Sequence, residues 1–473
     1  MSSDPAVGAP VAAEGHRFRR RLLGTIGALA VAATALGVAG FVQGPRLAEA
    51  SVDVQRVTRL ADGRVELELN QAIARVDGVL RVEPEVPAEL SVEGDALVVE
   101  FTEPLPYDTE FHVAIDGVVG SAQPTAVTVE HGFRTADAAI LTLVRRSPDG
   151  LPDAILRSGS AERTPEAVIE APRLQSFAQA GDAVVAVAIE DDGSNTLRIA
   201  GLGEQTQTMG LVEPGEVHAI SGSTTHPLIA YLHQGLARPS GAAPAFSDTL
   251  FTLDVSGQPA EPEPVVGLDG SPMRVADWRF VPGTTSMVVQ DLDGALSVVD
   301  AFGLVPPRPL GSATQLRGFL PGTQELIVAD PDRGRVVDLR SGTERPNDLP
   351  IADLPDHAHP SSVTQLDADG AHLLTVLLAG TDGSGDAAAE SLLALVDDVG
   401  TQVRYSTGPD SRMLRSCVAP NGHLVAVETA AVDALPDGYP EAPSSRDRLT
   451  SVIDIATGEL VLTQPGGSSD WCA

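Results

Sequence analysis

The sequence predicts an all-β chain of 473 residues that is preceded by one apolar helix. Three observations lead to this prediction. Apolar and polar residues alternate in the strand-like stretches of residues 51–136, Gly- and Pro-containing turn signals recur along the chain, and a strand-rich unit repeats from residue 140 onward. The length exceeds that of one ordinary domain, so two or more domains are expected.

The N-terminal region contains the helix. Residues 1–21 are rich in Ala, Gly, Pro and Ser, and we expect them to be disordered and cytoplasmic. They end in the basic cluster RFRRR, directly before residues 22–42, which carry no charge. As a helix this run is about 31 Å long, enough to cross a bilayer core. The Arg-rich flank predicts that its N-terminal side faces the cytoplasm.

Three interpretations of this run stay open. It is a signal anchor, a cleaved signal peptide with Ala48-Glu49-Ala50 as the cleavage site, or a buried helix of a soluble protein. Its length favours the anchor, because signal-peptide cores span roughly 7–15 residues. In the first two cases residues 43–50 form a linker, and residues 51–473 lie outside the cytoplasmic membrane.

The charge distribution restricts the partners of this exported part. The whole chain has a net charge of −34, with 31 Arg, no Lys and 65 Asp and Glu. Repulsion of phosphate excludes nucleic acid as a partner. The absence of Lys excludes Schiff-base chemistry.

Residues 51–136 are predicted to form a β-sandwich. The stretch RVELELN alternates inward- and outward-facing residues, and so does FHVAI. Turn signals such as Asp62-Gly63 and Asp77-Gly78 separate the strands. The stretch FTEPLPYDTEFHVAIDGV, with GFRT after it, resembles the bacterial Ig-like domains of S-layer and other surface proteins. The match is carried by Pro104, Leu105, Thr109, Phe111, Val113, Gly117, Phe133 and Thr135. The resemblance implies an Ig-like sandwich, with Phe111 in place of the family's usual Tyr.

Residues 140–473 are predicted to form a β-propeller. Six units average about 45 residues, the length of a four-stranded propeller blade. They cover residues 174–213, 217–268, 273–311, 316–349, 361–408 and 414–467. Residues 140–171 hold three further strands and lack an innermost one.

The C-terminal stretch SSDWCA is predicted to close this ring. It matches VADWRFVPG, so that Asp470 and Trp471 align with Asp277 and Trp278. The C-terminus would then add the missing inner strand to the first blade and complete a seven-bladed ring, because a ring must bury its last strand edge. Trp471 would anchor that strand.

The two cysteines, Cys417 and Cys472, fall at equivalent positions of the last and first inner strands. These strands are neighbours only if the ring closes. In an exported chain two cysteines favour a disulfide over two unrelated buried thiols.

The stretch RSCVAPNGHLVAVE resembles the strand signature of TolB-like and WD40-like propellers. More loosely, the whole layout looks like membrane-anchored surface proteins of actinobacteria, a group without an assigned activity. This resemblance implies an organisation of domains and no reaction.

Two motifs are candidates for metal binding. In DHAHP, His357 and His359 could bind zinc with Asp356 or Asp353, but no third ligand is identifiable. The stretch TDGSGDAAAE, residues 381–390, offers oxygen ligands but departs from the calcium-loop pattern. An exposed loop and a hairpin tip are the favoured interpretations, so we predict neither a metal nor a cofactor.

Three insertions, residues 233–248, 379–390 and 433–448, interrupt the repeat. Loops on a rigid ring commonly contact partners. In the third insertion, Tyr439, Asp437 and Glu441 are the predicted binding residues.

No hydrolase signature is present, and no catalytic residue is predicted. The sequence therefore favours a membrane-anchored extracytoplasmic binding or scaffold protein that engages an envelope protein or a wall polymer. The alternatives are a propeller-type hydrolase or lyase acting in the central channel, and an accessory subunit of a sensor. The residues that line the channel would distinguish a binding protein from an enzyme, since catalysis needs Asp277, Arg279 and Gly318 to converge with His or carboxylates.

Overall fold

The structure is a computed structural model, and it describes most of the chain. The described residues are 19–32, 34, 44–122, 125–159, 164–201, 205–237, 243–257, 260–331, 333–378, 390–439 and 443–472, with the side chain of Cys472 left out. The prediction of an all-β chain is confirmed, because strands make up most of the described elements.

Residues 19–32 form an exposed helix, α1. Of the predicted apolar helix 22–42, residues 33 and 35–42 lie outside the described residues. Within the part of the chain that is described, no helix is both long and apolar enough to cross a membrane.

The chain divides into two compact units. The first takes its described residues from 1–52, 64–100 and 110–133, and the second from 53–63, 101–109 and 134–473. The strands of the first unit form two four-stranded antiparallel sheets. One sheet has the order β1 (Leu47–Val52), β2 (Arg64–Leu69), β6 (Ala96–Phe101), β5 (Ala88–Glu93). In the other, β7 (Glu110–Gly120) lies between β3 (Ile73–Val76) and β4 (Leu80–Glu83) and also pairs with β8 (Val127–Arg134).

The second unit contains a series of antiparallel sheets, each built from consecutive strands, which we name P1 to P7. P1 consists of β9 (Ile140–Val144), β10 (Asp153–Ser158) and β11 (Glu166–Ala171). P2 consists of β12 (Leu174–Ala180), β13 (Ala183–Ile189), β14 (Asn195–Ala200) and β15 (Gln207–Gly210). P3 consists of β16 (Gly215–Gly222), β17 (Leu228–Gly235), β18 (Thr249–Asp254) and β19 (Glu263–Pro264). P4 consists of β20 (Val275–Phe280), β21 (Ser286–Asp291), β22 (Ala295–Asp300) and β23 (Arg308–Ser312).

The remaining sheets follow the same order. P5 consists of β24 (Gln315–Phe319), β25 (Glu325–Asp330), β26 (Arg333–Asp338) and β27 (Glu344–Pro346). P6 consists of β28 (Ala358–Gln365), β29 (His372–Leu378), β30 (Glu390–Val396) and β31 (Thr401–Ser406). P7 consists of β32 (Ser411–Val418), β33 (Leu424–Ala431), β34 (Leu449–Asp454) and β35 (Leu460–Pro465). Successive four-stranded meanders of this kind are the blades of a β-propeller.

The second strand of a sheet is covered on both faces, which explains its composition. In β13 the residues AVVAVAI are almost all buried, and so are LVAVETA in β33. Strands buried on both sides read as continuous apolar runs rather than as alternating ones. The predicted repeat units therefore coincide closely with sheets P2 to P7.

Buried apolar clusters join neighbouring sheets. Among the described clusters, P1 packs on P2, P2 on P3, P3 on P4, P4 on P5, and P6 on P7. A further cluster joins P7 to P1 through Ile140, Ala426 and Val452, with Trp471 packed against it. None of the described clusters contains residues of both P5 and P6.

The C-terminal segment lies against P1 but does not form the predicted strand. Leu143 and Gly467 exchange backbone hydrogen bonds of 2.8 and 3.1 Å, a single bridge. The segment then turns into a 3-10 helix, Asp470–Cys472. Gly466 and Ser468 have φ values of +97° and +55°, which an extended strand does not accept, so pairing stops after one bridge.

Cys417 is buried and disulfide-bonded. The side chain of Cys472 lies outside the described residues, so its pairing with Cys417 stays a prediction.

Two segments that precede P1 belong to the second unit. Residues 53–63, which include helix α2 (Val54–Val57), and residues 101–109 together form what we call the cap. The amide of Ala61 donates to the carbonyl of Gly322 at 3.1 Å, and Asn421 donates to the carbonyl of Leu105 at 3.3 Å. The cap therefore lies over the loops that join the first and second strands of P5 and P7.

Candidate functional site

The third insertion folds back onto the ring. We call residues 432–448 the strap. Its Asp437 accepts a hydrogen bond of 2.6 Å from Arg145 of P1, and these side chains are only 1% and 2% exposed. The hydroxyl of Tyr439 donates to Asp153, and the Arg145 guanidinium lies 4.1 Å from the centre of the Tyr439 ring. Burial, followed by the hydrogen bond with Asp153, raises the pKa of Tyr439 to about 12.

The expectation that Tyr439 and Asp437 present a contact surface is therefore wrong, because both side chains are buried. Their partner Arg145 lies 292 residues earlier than Asp437, so the local sequence holds no signal of the pairing. Glu441 lies outside the described residues.

All three insertions connect the second and third strands of a sheet, in P3, P6 and P7. In a propeller such loops project from one face. The first insertion also folds back in its described part, since Glu213 accepts the amide of Phe246 at 2.9 Å and the Phe246 ring packs 5.0 Å from that of Phe251. Residues 379–389 of the second lie outside the described residues.

The first strands of the sheets carry the predicted channel residues. Arg279 donates to Asp277 at 2.5 Å, and a Cβ on Gly318 would lie 4.0 Å from Nε of Arg279. Arg415 pairs in register with Glu428, and the two charges interact. Glu428 also binds Arg448 at 2.7 Å. These acids are thus neutralised by neighbouring arginines.

In the described part of the chain, the structure brings no further metal ligands to the two predicted metal motifs. His357 and His359 are exposed, and no group of three or more His, Cys, Asp or Glu side chains suited to a metal ion occurs among the residues described. Residues 381–389 of the other motif lie outside them, and Glu390 accepts a hydrogen bond from Ser406.

Asp470 and Trp471 help to line a pocket of about 420 Å³, together with residues of the cap and of P1 to P3. The carboxyl of Asp470 accepts the amide of Leu141 at 2.9 Å. Burial raises its pKa to about 6, although this hydrogen bond and the charges of Arg59 and Arg157 act in the opposite direction.

This raised pKa predicts a pH-dependent stability. Native Asp470 holds a proton that the unfolded chain has already lost between about pH 4 and pH 6, so the free energy of unfolding should fall as pH rises through this window. We expect D470N to remove about 2 kcal/mol of that fall, since Asn keeps an oxygen for the Leu141 amide. Urea unfolding from pH 4.5 to 8 measures it, with D398N, an exposed carboxylate, as control. Equal pH slopes for D470N and the wild type would contradict this assignment.

A groove of about 350 Å³ lies where P5 meets P6. Phe319, Ile327, Leu349 and Val363 form its apolar wall. Gln365 is 6% exposed; its Nε2 donates to the carbonyl of Asp367 at 2.8 Å, which fixes the amide orientation, and its Oε1 has no hydrogen-bond partner.

Two arginines complete the groove. Arg317 and Arg333 are exposed, and neither side chain forms a hydrogen bond or ion pair with a described residue. Arg317 is the extra residue of a β-bulge, because its neighbours Leu316 and Gly318 pair with the consecutive residues Val328 and Ile327. Bulges redirect side chains in this way.

The groove residues were not predicted from the sequence. Arg317 falls in a recognised first strand, but period-two alternation does not reveal a bulge. No local signal in the sequence indicates that the described apolar clusters do not join P5 to P6.

No protein-family model and no curated protein sequence matches the chain. Among solved structures, it is similar to the putative TolB from Agrobacterium tumefaciens, with 13% identity, 70% of this chain and 91% of that chain covered, and a TM-score of 0.33. TolB from Acinetobacter baumannii gives 11% identity, 82% coverage of each chain and a TM-score of 0.33. A chain of the Mitotic Checkpoint Complex gives 12% identity, 60% and 82% coverage, and a TM-score of 0.36. At these TM-scores the β-propeller assignment rests on the strand order and sheet packing described above.

Proposed function

We propose that this protein is a membrane-anchored, extracytoplasmic binding or scaffold protein whose propeller engages an envelope protein. Residues 22–42 form the anchor, the two sheets of the first unit form an Ig-like spacer, and P1 to P7 form seven blades. The observation that carries the proposal is the groove, which combines apolar walls with an unpaired buried acceptor and two unpaired arginines. Such a combination serves recognition rather than stability.

The compartment is supported by two features of the chain. The basic cluster before the uncharged run 22–42 matches the positive-inside pattern of an anchor. The disulfide at Cys417 suits an oxidising environment, where such bonds persist.

Binding is preferred to catalysis because of how the acidic groups are used. Asp277 is tied to Arg279, Glu428 to Arg448, and Asp437 to Arg145. A carboxylate held by an arginine is a poor general base.

Affinity capture with the full-length, detergent-solubilised protein tests the proposal. We expect one envelope protein to be recovered from detergent extracts in a saturable manner, and the purified component to bind in calorimetry. Recovery no higher than on bait-free resin, or turnover of a sugar or peptide library, would overturn it. Protease shaving of intact cells should degrade residues 44–473, and their protection would refute the location.

A further inference from the structure

We propose that the groove between P5 and P6 binds an extended peptide segment of the partner that carries an apolar side chain next to a carboxylate. This inference rests on the proposed function and adds the chemical class of ligand. The apolar side chain enters the groove, a peptide N–H meets Gln365, and the carboxylate meets Arg317 and Arg333.

The first step is the position of the groove. Six of the contacts between neighbouring sheets are filled by shared apolar clusters, including the contact that closes the ring between P7 and P1. At the junction of P5 and P6, by contrast, one described cluster contains residues of P5 and another contains residues of P6, and neither contains both. The space left between them, about 350 Å³, falls within the range of ligand pockets.

The second step is the buried acceptor. A buried polar atom without a partner costs about 1–3 kcal/mol, so native proteins rarely keep one without a role. Since Nε2 of Gln365 donates to the carbonyl of Asp367, Oε1 is the atom of this groove-lining side chain that has no hydrogen-bond partner. An acceptor of this kind pairs with a hydrogen-bond donor, and every residue of a peptide other than proline supplies a backbone N–H.

The third step is the charge at the groove. In a chain of net charge −34, Arg317 and Arg333 are two cations without a described partner. The acidic side chain beside them, Asp330, is already engaged, since it accepts the amide of Thr314 at 3.1 Å and lies 3.8 Å from Arg335. Guanidinium groups bind carboxylates in a directional, often bidentate manner.

A peptide satisfies all three features within a few residues. A nucleic acid is excluded because the surrounding acidic surface repels phosphate chains. A neutral glycan would leave both arginines without a counter-charge.

Calorimetry with the full-length protein in detergent tests the inference. The probe is the blocked peptide acetyl-Leu-Asp-Leu-Asp-Leu-amide, and its matched control replaces both Asp by Asn. We expect measurable binding below 1 mM, at least tenfold weaker binding of the Asn peptide, and weakening at higher salt. No binding of the Asp peptide at 1 mM, or equal binding of both peptides, overturns the inference.

Substitutions of groove residues provide the second test of the inference. R317E and R333E should each weaken binding at least tenfold without changing the thermal midpoint, because neither arginine has a described partner. R340E makes the same charge change on the exposed β26–β27 loop and should leave binding unchanged. Q365L should weaken binding as well; since it also removes the hydrogen bond from Nε2 to the carbonyl of Asp367, its thermal midpoint is measured beside its affinity. Wild-type affinity in R317E and R333E would contradict the assignment.

The two proposals fail separately. If the full-length protein captures its envelope partner equally well with and without R317E, the groove is wrong and the proposed function stands. If no partner is captured but the Asp peptide binds through Arg317, the groove stands and the proposed function is wrong.

Discussion

Replacing Asp437 by alanine should lower the free energy of unfolding by about 3–5 kcal/mol, because it breaks the buried ion pair between Asp437 and the Arg145 guanidinium. The substitution should also destabilise the strap itself, since Oδ1 of Asp437 accepts hydrogen bonds from the amides of Tyr439 and Ser444. Urea unfolding at neutral pH, followed by far-UV circular dichroism, measures the change.

The matched control is D433A, an exposed carboxylate on the same strap, which should change stability by less than about 0.5 kcal/mol. The double variant R145M/D437L should recover much of the loss, because both charges are then removed together. If D437A unfolds like the wild type, the strap does not secure the ring.

Deleting residues 466–473 should lower the free energy of unfolding by at least about 4 kcal/mol and make the transition less cooperative. The deletion removes the bridge between Gly467 and Leu143, the Asp470 contact with the Leu141 amide, and the Trp471 side chain from the cluster that joins P7 to P1. Trp471 is only partly buried, so its loss should contribute less than the about 3–5 kcal/mol of a fully buried aromatic side chain, and the bridge and the Asp470 contact add to it. Differential scanning calorimetry of the full-length and shortened proteins measures this effect.

The single variant C472S separates packing from the disulfide. If Cys472 is the partner of Cys417, C472S should cost about 2–4 kcal/mol, and non-reducing peptide mapping of the wild type should recover the linked pair. The shortened chain should be less stable than C472S. Equal stabilities would mean that the disulfide alone closes the ring and that Trp471 contributes nothing.

The repeat and its strands are properties of contiguous sequence. Apolar runs such as AVVAVAI, which form second strands, and turns such as Asp293-Gly294, with Gly294 at a φ of +85°, act over a few residues. Such signals are readable without a structure, because strand formation and turn geometry depend on neighbouring side chains. The alignment of Asp470-Trp471 with Asp277-Trp278 likewise located the chain end, although Gly466 and Ser468 replace the predicted strand by a bridge and a 3-10 turn.

By itself, the sequence determined the all-β class, the propeller repeat and the approximate limits of its sheets. Only the tertiary structure decided that the strap buries Tyr439 and that residues 53–63 and 101–109 cap the ring. It also decided that P5 and P6 leave a groove in which Oε1 of Gln365 and the side chains of Arg317 and Arg333 have no described partner. The physical reason is distance along the chain. Whether a polar side chain is paired depends on groups that ring closure brings from hundreds of residues away, and no local pattern records them.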